Sequence, residues 1–293
     1  MFDKKWKNIF DFENYFVFFE IKYIIINMDK DINPRKDGNI IPNPMTKFAS
    51  IFAGICIVLF TAFLTMLVIV TNLYSSATVV GTSMYPSINA IGGEGKNDVA
   101  YYTRYKDAKI NDIIIVDYGD AIEGYSSIDA IKRLIAKGGD TICYYGGTIL
   151  RNGKPVDDWY IKQNYEYLAK KSQSEADNWK ENGYQTSKNN FNYFCQRILL
   201  GEQIYQTAFT KKCAEDDDFK NQHIRYDLSL GTYVLTVPEN SIFFLGDNRA
   251  GSTDCSCFGP LEEKYLLAKV DFILHYDNNA IAKVFQQFKH IFA

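Results

Sequence analysis

The sequence has few histidines and no surplus of basic charge. Only three histidines occur in 293 residues, at the scattered positions His223, His275 and His290. Lysine and arginine number 32 against 35 aspartates and glutamates, which gives a net charge of −3. Non-specific nucleic-acid binding needs a basic surface, so we expect no nucleic-acid partner. Cys255-x-Cys257 has no second Cys or His pair of matching spacing, and we therefore expect neither a metal site nor a cofactor.

Charge is missing altogether between Phe48 and Gly93, and residues 48–70 are almost wholly apolar. As a helix these 23 residues would be roughly 35 Å long, enough to cross a hydrocarbon core of about 30 Å. The run begins too late and is too long for a cleaved secretory signal. A buried core helix is the alternative, and we predict a transmembrane anchor over residues 48–72.

The distribution of basic residues predicts how this anchor is oriented. Arg35, Lys36 and Lys47 precede it, whereas the first charged residue after it is Glu94. Because basic residues favour the cytoplasmic side, we expect residues 1–47 to be a cytoplasmic segment. The protein would then cross the cell membrane once, with the lipid bilayer as a partner and its larger part outside the cytoplasm.

Both ends of the chain leave alternatives open. Residues 9–26 could form an amphipathic helix at the membrane interface, or translation could begin at Met28. A proline-containing polar linker follows this segment. At the other end, residues 279–293 carry apolar side chains at helical spacing. This amphipathic tail would lie either on the membrane surface or against the folded domain.

Beyond the anchor the pattern is mainly β. Short β-branched and aromatic runs alternate with turn residues over residues 75–157 and 231–278, which predicts an antiparallel β-sheet domain. Asn152-Gly153 is the dipeptide that type I′ hairpin turns prefer. Residues 158–230 are instead rich in Lys, Gln, Asn, Glu and Ala, and they predict a helical, cap-like insertion.

One cysteine, Cys56, lies inside the anchor and five lie beyond it. Five is an odd number, so at least one thiol of a monomer would stay unpaired. The sequence leaves open whether Cys195 pairs with Cys213 and whether Cys255 and Cys257 are oxidised. The five are Cys143, Cys195, Cys213, Cys255 and Cys257.

Two segments have the composition of a nucleophile and its base. Ser83 lies in a turn-forming stretch directly after a predicted strand, just beyond the anchor. Lys132 lies in the apolar strand Ile131-Lys132-Arg133-Leu134-Ile135, where desolvation would lower the pKa of its amine. A neutral buried lysine can act as a general base. No Ser-His-Asp arrangement is apparent.

Together with Gly246-Asp247-Asn248-Arg249 and Ser252-x-Asp254, these segments resemble the bacterial type I signal (leader) peptidases. The resemblance covers the anchor and four blocks in the family's order, at residues 79–91, 111–117, 130–157 and 233–260. It implies a membrane-anchored serine endopeptidase with a Ser-Lys dyad, in which Ser83 is the nucleophile and Lys132 the general base. Its partners would be the signal peptides of secreted preproteins.

The resemblance also implies supporting roles around the dyad. Ser252 would orient the lysine, and the turn at Asp247 and Asn248 would pack beside the site. Asp254 would pair with an arginine. Because Ser256 stands where the family often has that arginine, Arg133 is the available partner.

The oxyanion hole departs from some members of the family. Gly81 stands where those members supply a serine hydroxyl, so donation would rest on the backbone N–H of Ser83 and an amide of the Gly81-Thr82 turn. The family's L-P-G-D turn reads Lys137-Gly138-Gly139-Asp140 here, which should keep a turn but loosen its backbone.

Small apolar side chains beside the dyad suggest a substrate preference. Shallow apolar pockets would accept small residues at the first and third positions before the cut, as in Ala-x-Ala sites, with the peptide bound as an extended strand. Ordinary core packing is the alternative for these side chains. They are Val79, Met84, Ile88, Ala130 and Ile131.

Two other functions fit parts of the pattern. Self-cleaving repressor-type proteases also use a Ser-Lys dyad, but the anchor and the acidic balance oppose that interpretation. A membrane-anchored β-rich binding protein with a lost dyad is the alternative from another class, with Gly81, Gly138 or Ser256 as the inactivating departure.

Overall fold

The computed structural model describes most of the chain from residue 44 to residue 276. The described ranges are 44–73, 75–91, 96–103, 107–125, 129–156, 159–202 and 206–276. The chain divides into two compact units, Met1–Asn72 and Leu73–Ala293, and each is considered by itself. The interfacial helix expected before Met28 and the tail over residues 279–293 lie outside the described residues.

The described part of the first unit forms a long helix, α1 (Pro44–Leu73). Its stretch Phe48–Met66 is long and apolar enough to cross a membrane, and none of it is buried. The hydroxyls of Thr61 and Thr65 donate to the carbonyls one turn earlier, at 3.0 and 2.8 Å, so they do not leave the helix with unpaired polar groups. The long apolar helix is thus confirmed, and its exposure argues against a core helix.

The second unit contains two antiparallel sheets. Its strands are β1 (Ser75–Thr78), β2 (Val99–Thr103), β3 (Ile113–Asp117), β4 (Asp129–Lys137), β5 (Thr141–Tyr145), β6 (Thr148–Arg151), β7 (Lys154–Pro155), β8 (Ile224–Asp227), β9 (Thr232–Thr236), β10 (Ser241–Leu245), β11 (Leu261–Glu262) and β12 (Leu266–Leu274). A seven-stranded sheet has the order β1-β2-β12-β3-β4-β10-β11, and a five-stranded sheet the order β7-β6-β5-β9-β8. The predicted antiparallel β fold is confirmed.

Local sequence explains the turns and the buried strands. Asn152 and Gly153 have φ angles of 53° and 73°, as the predicted type I′ turn between β6 and β7 requires. All five residues of β10 are buried, which suits its position between β4 and β11 and its covered faces. β4 is buried over most of its length, so the sheet positions its side chains firmly.

Among the described residues, five further α-helices follow the strands or interrupt them. They are α2 (Trp159–Ala169), α3 (Gln173–Leu199), α4 (Ala208–Glu215), α5 (Asp217–His223) and α6 (Cys255–Phe258). Ser172, Thr207 and Asp216 cap the N-termini of α3, α4 and α5 by accepting a hydrogen bond from a backbone N–H.

The insertion differs from the expectation in two ways. Its helices end at His223, and residues 224–227 form β8, which pairs with β9 and so belongs to the β domain. The helices are also more than a cap, because Phe191, Phe194 and Ile198 of α3 are part of the main core. That core also holds Cys195 and Cys213, and all six cysteines, which lie in described parts of the chain, are free thiols.

Candidate active site

Ser83 lies on a compact turn that follows β1. The N–H of Tyr85 donates to the carbonyl of Thr82, and the backbone of the turn is tied to the segment after β10. There Asn248 donates from its backbone N–H to the Ser83 carbonyl and from Nδ2 to the Thr82 carbonyl, both at 3.0 Å. The Ser83 side chain is half-buried, so its position is defined while it stays accessible.

Lys132 reaches the same point from β4. It pairs with Ile114 of β3 in the seven-stranded sheet, and its residue is only 4% exposed. Its Nζ donates to Ser83 Oγ at 2.9 Å and to the Ile131 carbonyl at 3.2 Å. The structure therefore brings together the two residues that the sequence selects as nucleophile and base.

Burial sets the protonation of this lysine. Desolvation lowers the pKa of the Lys132 amine, while the nearby Asp254 and Cys255 act in the opposite direction. A lowered pKa increases the fraction of neutral amine near physiological pH. Only the neutral amine has the lone pair that can accept a proton from Ser83.

Arg133 pairs with Asp247, which corrects the expected pairing with Asp254. Its Nε and NH2 donate to the two carboxylate oxygens of Asp247 at 2.8 and 2.6 Å, and both residues are buried. The side chain of the residue that follows Lys132 in a strand points to the other face of the sheet. Arg133 therefore meets Asp247 on that face and not Asp254, which lies close enough to Lys132 to act on its charge.

Asp254 is satisfied without an arginine. Its Oδ2 accepts from the Gly246 N–H at 2.8 Å. Its Oδ1 accepts from the N–H and Oγ of Ser256 at 3.0 and 2.8 Å, which caps the short helix α6. Ser256 thus supplies the hydrogen-bond donors to Asp254 that were expected from an arginine.

Ser252 lies beside the dyad but makes none of the hydrogen bonds expected of it. It is 9% exposed, and its Oγ is buried with no partner among the described residues. Gly246 lies in close contact: a Cβ at that position would overlap Ser252 Oγ and the Ser83 carbonyl. The approach of these segments therefore requires glycine at 246.

The backbone around Gly81 could form an oxyanion hole. Gly81 has a φ of 101°, a conformation that favours glycine. Its carbonyl and that of Val79 accept hydrogen bonds from Asn89 Nδ2, at 3.0 and 2.8 Å. Among the described residues the Ser83 N–H has no hydrogen-bond partner, so it is available to an oxyanion.

A cleft of about 750 Å³ opens at the dyad. Val79, Ala130 and Ile131 line it, as the sequence predicts. Met84 and Ile88 do not belong to its lining. They are 2% and 1% exposed and pack in a small core cluster, so for these two the core-packing alternative holds.

Besides Tyr102, two aromatic residues of the cleft escaped the sequence analysis. Tyr118 and Tyr125 line it, and Lys132 Nζ lies 5.7 Å from the centroid of the Tyr118 ring. Burial raises the pKa of the Tyr118 hydroxyl, which stays a donor and binds the Thr253 carbonyl at 3.0 Å. Tyr118 follows β3 directly. Its position at the end of the strand that neighbours the Lys132 strand was the only sequence signal that could have placed it in the cleft.

No metal-binding group is formed in the ranges that the structure describes. There, no three His, Cys, Asp or Glu side chains gather as a ligand set. His275 Nδ1 lies 2.9 Å from Asp98 Oδ2. This contact involves only two residues, and it links the end of β12 to the segment before β2.

Comparison with known proteins places the chain among peptidases. A family model described as "Signal peptidase, peptidase S26" matches residues 52–275. A signal peptidase I of Buchnera aphidicola is 28% identical over 160 residues, which are 50% of this chain and 50% of that protein. The match thus spans half the length of that relative.

Two further similarities are weaker in sequence. The signal peptidase I of Bacillus caldolyticus is 25% identical over 203 residues, which are 68% of this chain and 78% of that protein. The crystal structure of a signal peptidase I from Enterococcus faecalis is 22% identical and has a TM-score of 0.30. It covers 56% of this chain and 97% of that one.

Proposed function

The chain belongs to the signal peptidase family (peptidase S26) and is a serine peptidase, and from this premise we propose that Ser83 and Lys132 form its catalytic dyad. The single observation that carries the proposal is the 2.9 Å contact between Lys132 Nζ and Ser83 Oγ, made by a lysine that is 4% exposed. A general base must lie within hydrogen-bond reach of the proton that it removes. A pKa lowered by burial supports the same role.

In the acylation step Ser83 Oγ attacks the scissile carbonyl while neutral Lys132 takes the hydroxyl proton. The negative charge of the tetrahedral intermediate falls on the carbonyl oxygen, to which the Ser83 N–H and an amide of the Gly81-Thr82 turn can donate. The Lys132 ammonium then gives its proton to the leaving amine, which departs with the mature chain. The signal peptide remains as an ester on Ser83.

In the deacylation step a water molecule attacks this ester. Lys132, neutral again, takes a proton from the water and returns one to Ser83 Oγ as the ester bond breaks. Ser252 remains the proposed orienting residue, because its buried Oγ has no other partner among the described residues and lies beside the Ser83 backbone. A hydroxyl in that place can accept from the ammonium form of the lysine.

The supporting residues have separable tasks in this scheme. Asp247 and Arg133 neutralise each other in the interior, and Asn248 fixes the backbone that carries the nucleophile. Asp254 holds the Gly246 N–H and caps α6. None of these four residues hydrogen-bonds to Ser83 Oγ or Lys132 Nζ, so they act by holding Ser83 and Lys132 in place.

The proposed substrates are preproteins that carry Ala-x-Ala-like cleavage sites. The side chains that line the cleft include Val79, Ala130 and Ile131, and shallow pockets with apolar walls favour small apolar residues before the cut. An extended signal peptide could add backbone hydrogen bonds along the exposed segment that runs from Val80 to Thr82. These contacts would place the scissile carbonyl at Ser83 Oγ.

We further propose that α1 anchors the protein in the cell membrane in a single pass. No residue of its apolar stretch Phe48–Met66 is buried, as expected of a lipid-facing helix. Basic residues before the helix favour a cytoplasmic N-terminus, with the β domain outside. That side is where signal peptides emerge from the bilayer with their preproteins.

Cleavage of an Ala-x-Ala preprotein in liposomes or detergent tests the proposal, with the cut located by mass spectrometry. We expect the wild type to cut after the second alanine, and Ser83→Ala and Lys132→Ala to lose cleavage while remaining folded. Lys137→Ala is the matched control, because it removes another lysine of the same strand and should keep activity. No cleavage by folded wild type, or full activity in either dyad variant, would overturn the assignment.

A further inference from the structure

The segment that carries Ser83 is held by side chains of the helical insertion. Asn164 of α2 donates from Nδ2 to Ser87 Oγ at 2.8 Å, and Ser87 Oγ donates to Asp247 Oδ2 at 2.5 Å. Tyr85, two residues after Ser83, donates from its hydroxyl to Glu175 Oε1 of α3 at 2.9 Å. Residues outside the four family-like blocks therefore contact the proposed nucleophile's own turn.

Asn164 is an unusual residue for its position. It is 7% exposed, and it lies on the buried face of α2 with Tyr160 and Leu168, one turn before and one turn after it. Burying an amide is costly unless the amide is hydrogen-bonded, and the bond to Ser87 offsets this cost. A side chain that only filled space on this face would be apolar.

The hydrogen-bond chain that begins at Asn164 ends at the Ser83 backbone. Ser87 and Arg133 both bind the Asp247 carboxylate, which fixes the direction of that carboxylate. The next residue, Asn248, holds the carbonyls of Ser83 and Thr82. A shift of Ser87 would therefore move Ser83 by two routes, through the turn itself and through Asp247.

A second residue of α2 contacts the other side of the same segment. The Arg133 guanidinium lies 4.0 Å from the centroid of the Tyr160 ring. The Tyr160 hydroxyl accepts from Arg249 NH2 at 2.7 Å, and Arg249 Nε donates to the Gly246 carbonyl at 2.9 Å. Tyr160 of α2 thus contacts Arg133, the ion-pair partner of Asp247, and it reaches Gly246, the residue before Asp247, through Arg249.

We infer that Asn164 is a positioning residue, through which the helical insertion sets the place of Ser83 Oγ relative to Lys132 Nζ. The inference rests on the proposed function, because it assigns a task within that reaction. Misplacement of a nucleophile by as little as about 1 Å can slow a reaction about a hundredfold, so one hydrogen bond that fixes its turn affects the rate of the chemical step. Asn164 is not part of the lining of the cleft at the dyad, so substrate binding should change little.

Point variants are the suitable probe, because deletion of the insertion would remove Phe191, Phe194 and Ile198 from the core. We compare wild type, Asn164→Ala, Ser87→Ala and the double variant in preprotein cleavage. Asn164→Asp is a second variant of equal volume, which replaces the donor to Ser87 by an acceptor. Asn178→Ala is the matched control, since Asn178 is an exposed asparagine of the same insertion. Thermal melts show that each variant is folded at the assay temperature.

We expect kcat to fall about tenfold in Asn164→Ala and in Asn164→Asp, with KM nearly unchanged. Because Asn164 acts through Ser87, the double variant should be no slower than the slower single variant. Asn178→Ala should match wild type. An unchanged kcat in both folded Asn164 variants, a change in KM alone, or multiplicative losses in the double variant would overturn the inference while the proposed function stands. Wild type that cleaves no preprotein would overturn both.

Discussion

The protonation state of the Lys132 amine should govern the rate of peptide cleavage. Burial lowers its pKa from the ordinary 10.5, while Asp254 and Cys255 act in the opposite direction. Below this lowered pKa the amine is protonated and cannot accept the Ser83 proton, and above it the amine is neutral. We therefore expect kcat/KM to rise with pH along a limb whose midpoint lies below 10.5.

Asp254→Asn tests which group shapes that limb. The substitution removes a negative charge that favours the ammonium form, so the midpoint of the limb should move to lower pH. Asparagine retains one acceptor oxygen, which can keep the backbone N–H of either Gly246 or Ser256, because these two groups bind different oxygens of Asp254. The measurement is cleavage of a peptide substrate across the neutral and alkaline range. A midpoint that moves to higher pH would contradict the assignment of Lys132 as the base.

The buried pair of Arg133 and Asp247 is expected to matter for stability. Asp247→Asn leaves the guanidinium in the interior without its counter-charge, and we expect a loss of about 3–5 kcal/mol in the free energy of unfolding. Glu123→Gln is the matched control, because Glu123 forms an exposed pair with Lys211. Its removal should cost about 1 kcal/mol or less. Urea denaturation of both variants measures the difference, and equal losses would refute the argument.

At the scale of elements, the contact between α3 and the end of α6 can be tested with two glycines. Gly259 and Gly201 have nearly the same φ, 81° and 80°. A Cβ at Gly259 would overlap the ring of Phe194, which is fully buried, whereas a Cβ at Gly201 meets open space. Gly259 also has a ψ of −171°, a conformation that only glycine populates, so the difference between the two variants reports its backbone strain and the clash with Phe194 together.

We expect Gly201→Ala to cost about 1–2 kcal/mol, the ordinary penalty of the left-handed conformation. Gly259→Ala should cost about 1–3 kcal/mol more, because Phe194 cannot leave the core without disturbing α3. Denaturation midpoints of the two variants under one set of conditions give the comparison. If Gly259→Ala were no worse than Gly201→Ala, α3 would be more loosely packed than the structure indicates.

The sequence predicted the strands with clear alternation or long β-branched runs, such as β3, β4 and β10. Residues 224–227 were assigned to the helical insertion, although they form β8. This strand depends on its pairing with β9, and β2 depends on β12, a partner distant in sequence. Periodicity within a short window contains no information on such partners.

The candidate site also depends on contacts that the local sequence does not reveal. Ser83 and Lys132 were selected because several segments in order resemble one family, and the structure places their side chains 2.9 Å apart. The partner of Arg133 was assigned wrongly, because the choice between Asp247 and Asp254 depends on which face of the sheet each carboxylate reaches. Met84 and Ile88 were expected in the cleft, and only the packing of the second core cluster shows that they are buried.

At the scale of the whole molecule, exposed aliphatic side chains have different effects in α1 and in the β domain. In α1, Ile55 and Leu59 lie one turn apart and are 53% and 64% exposed, which is costly in water and favourable in lipid. Leu200 and Leu228 of the second unit are 65% and 89% exposed. The same substitutions in the two pairs therefore separate membrane insertion from general surface hydrophobicity.

We expect the double variant Ile55→Arg/Leu59→Arg to lose most of its partitioning into liposomes, because each arginine within the bilayer costs about 2.5–3.5 kcal/mol. Leu200→Arg/Leu228→Arg should float with the liposomes like the wild type. Flotation in a density gradient after alkaline washing measures the bound fraction. Cleavage of a short soluble peptide should survive in both double variants, since neither touches the dyad. Equal flotation of the two would show that α1 does not anchor the protein.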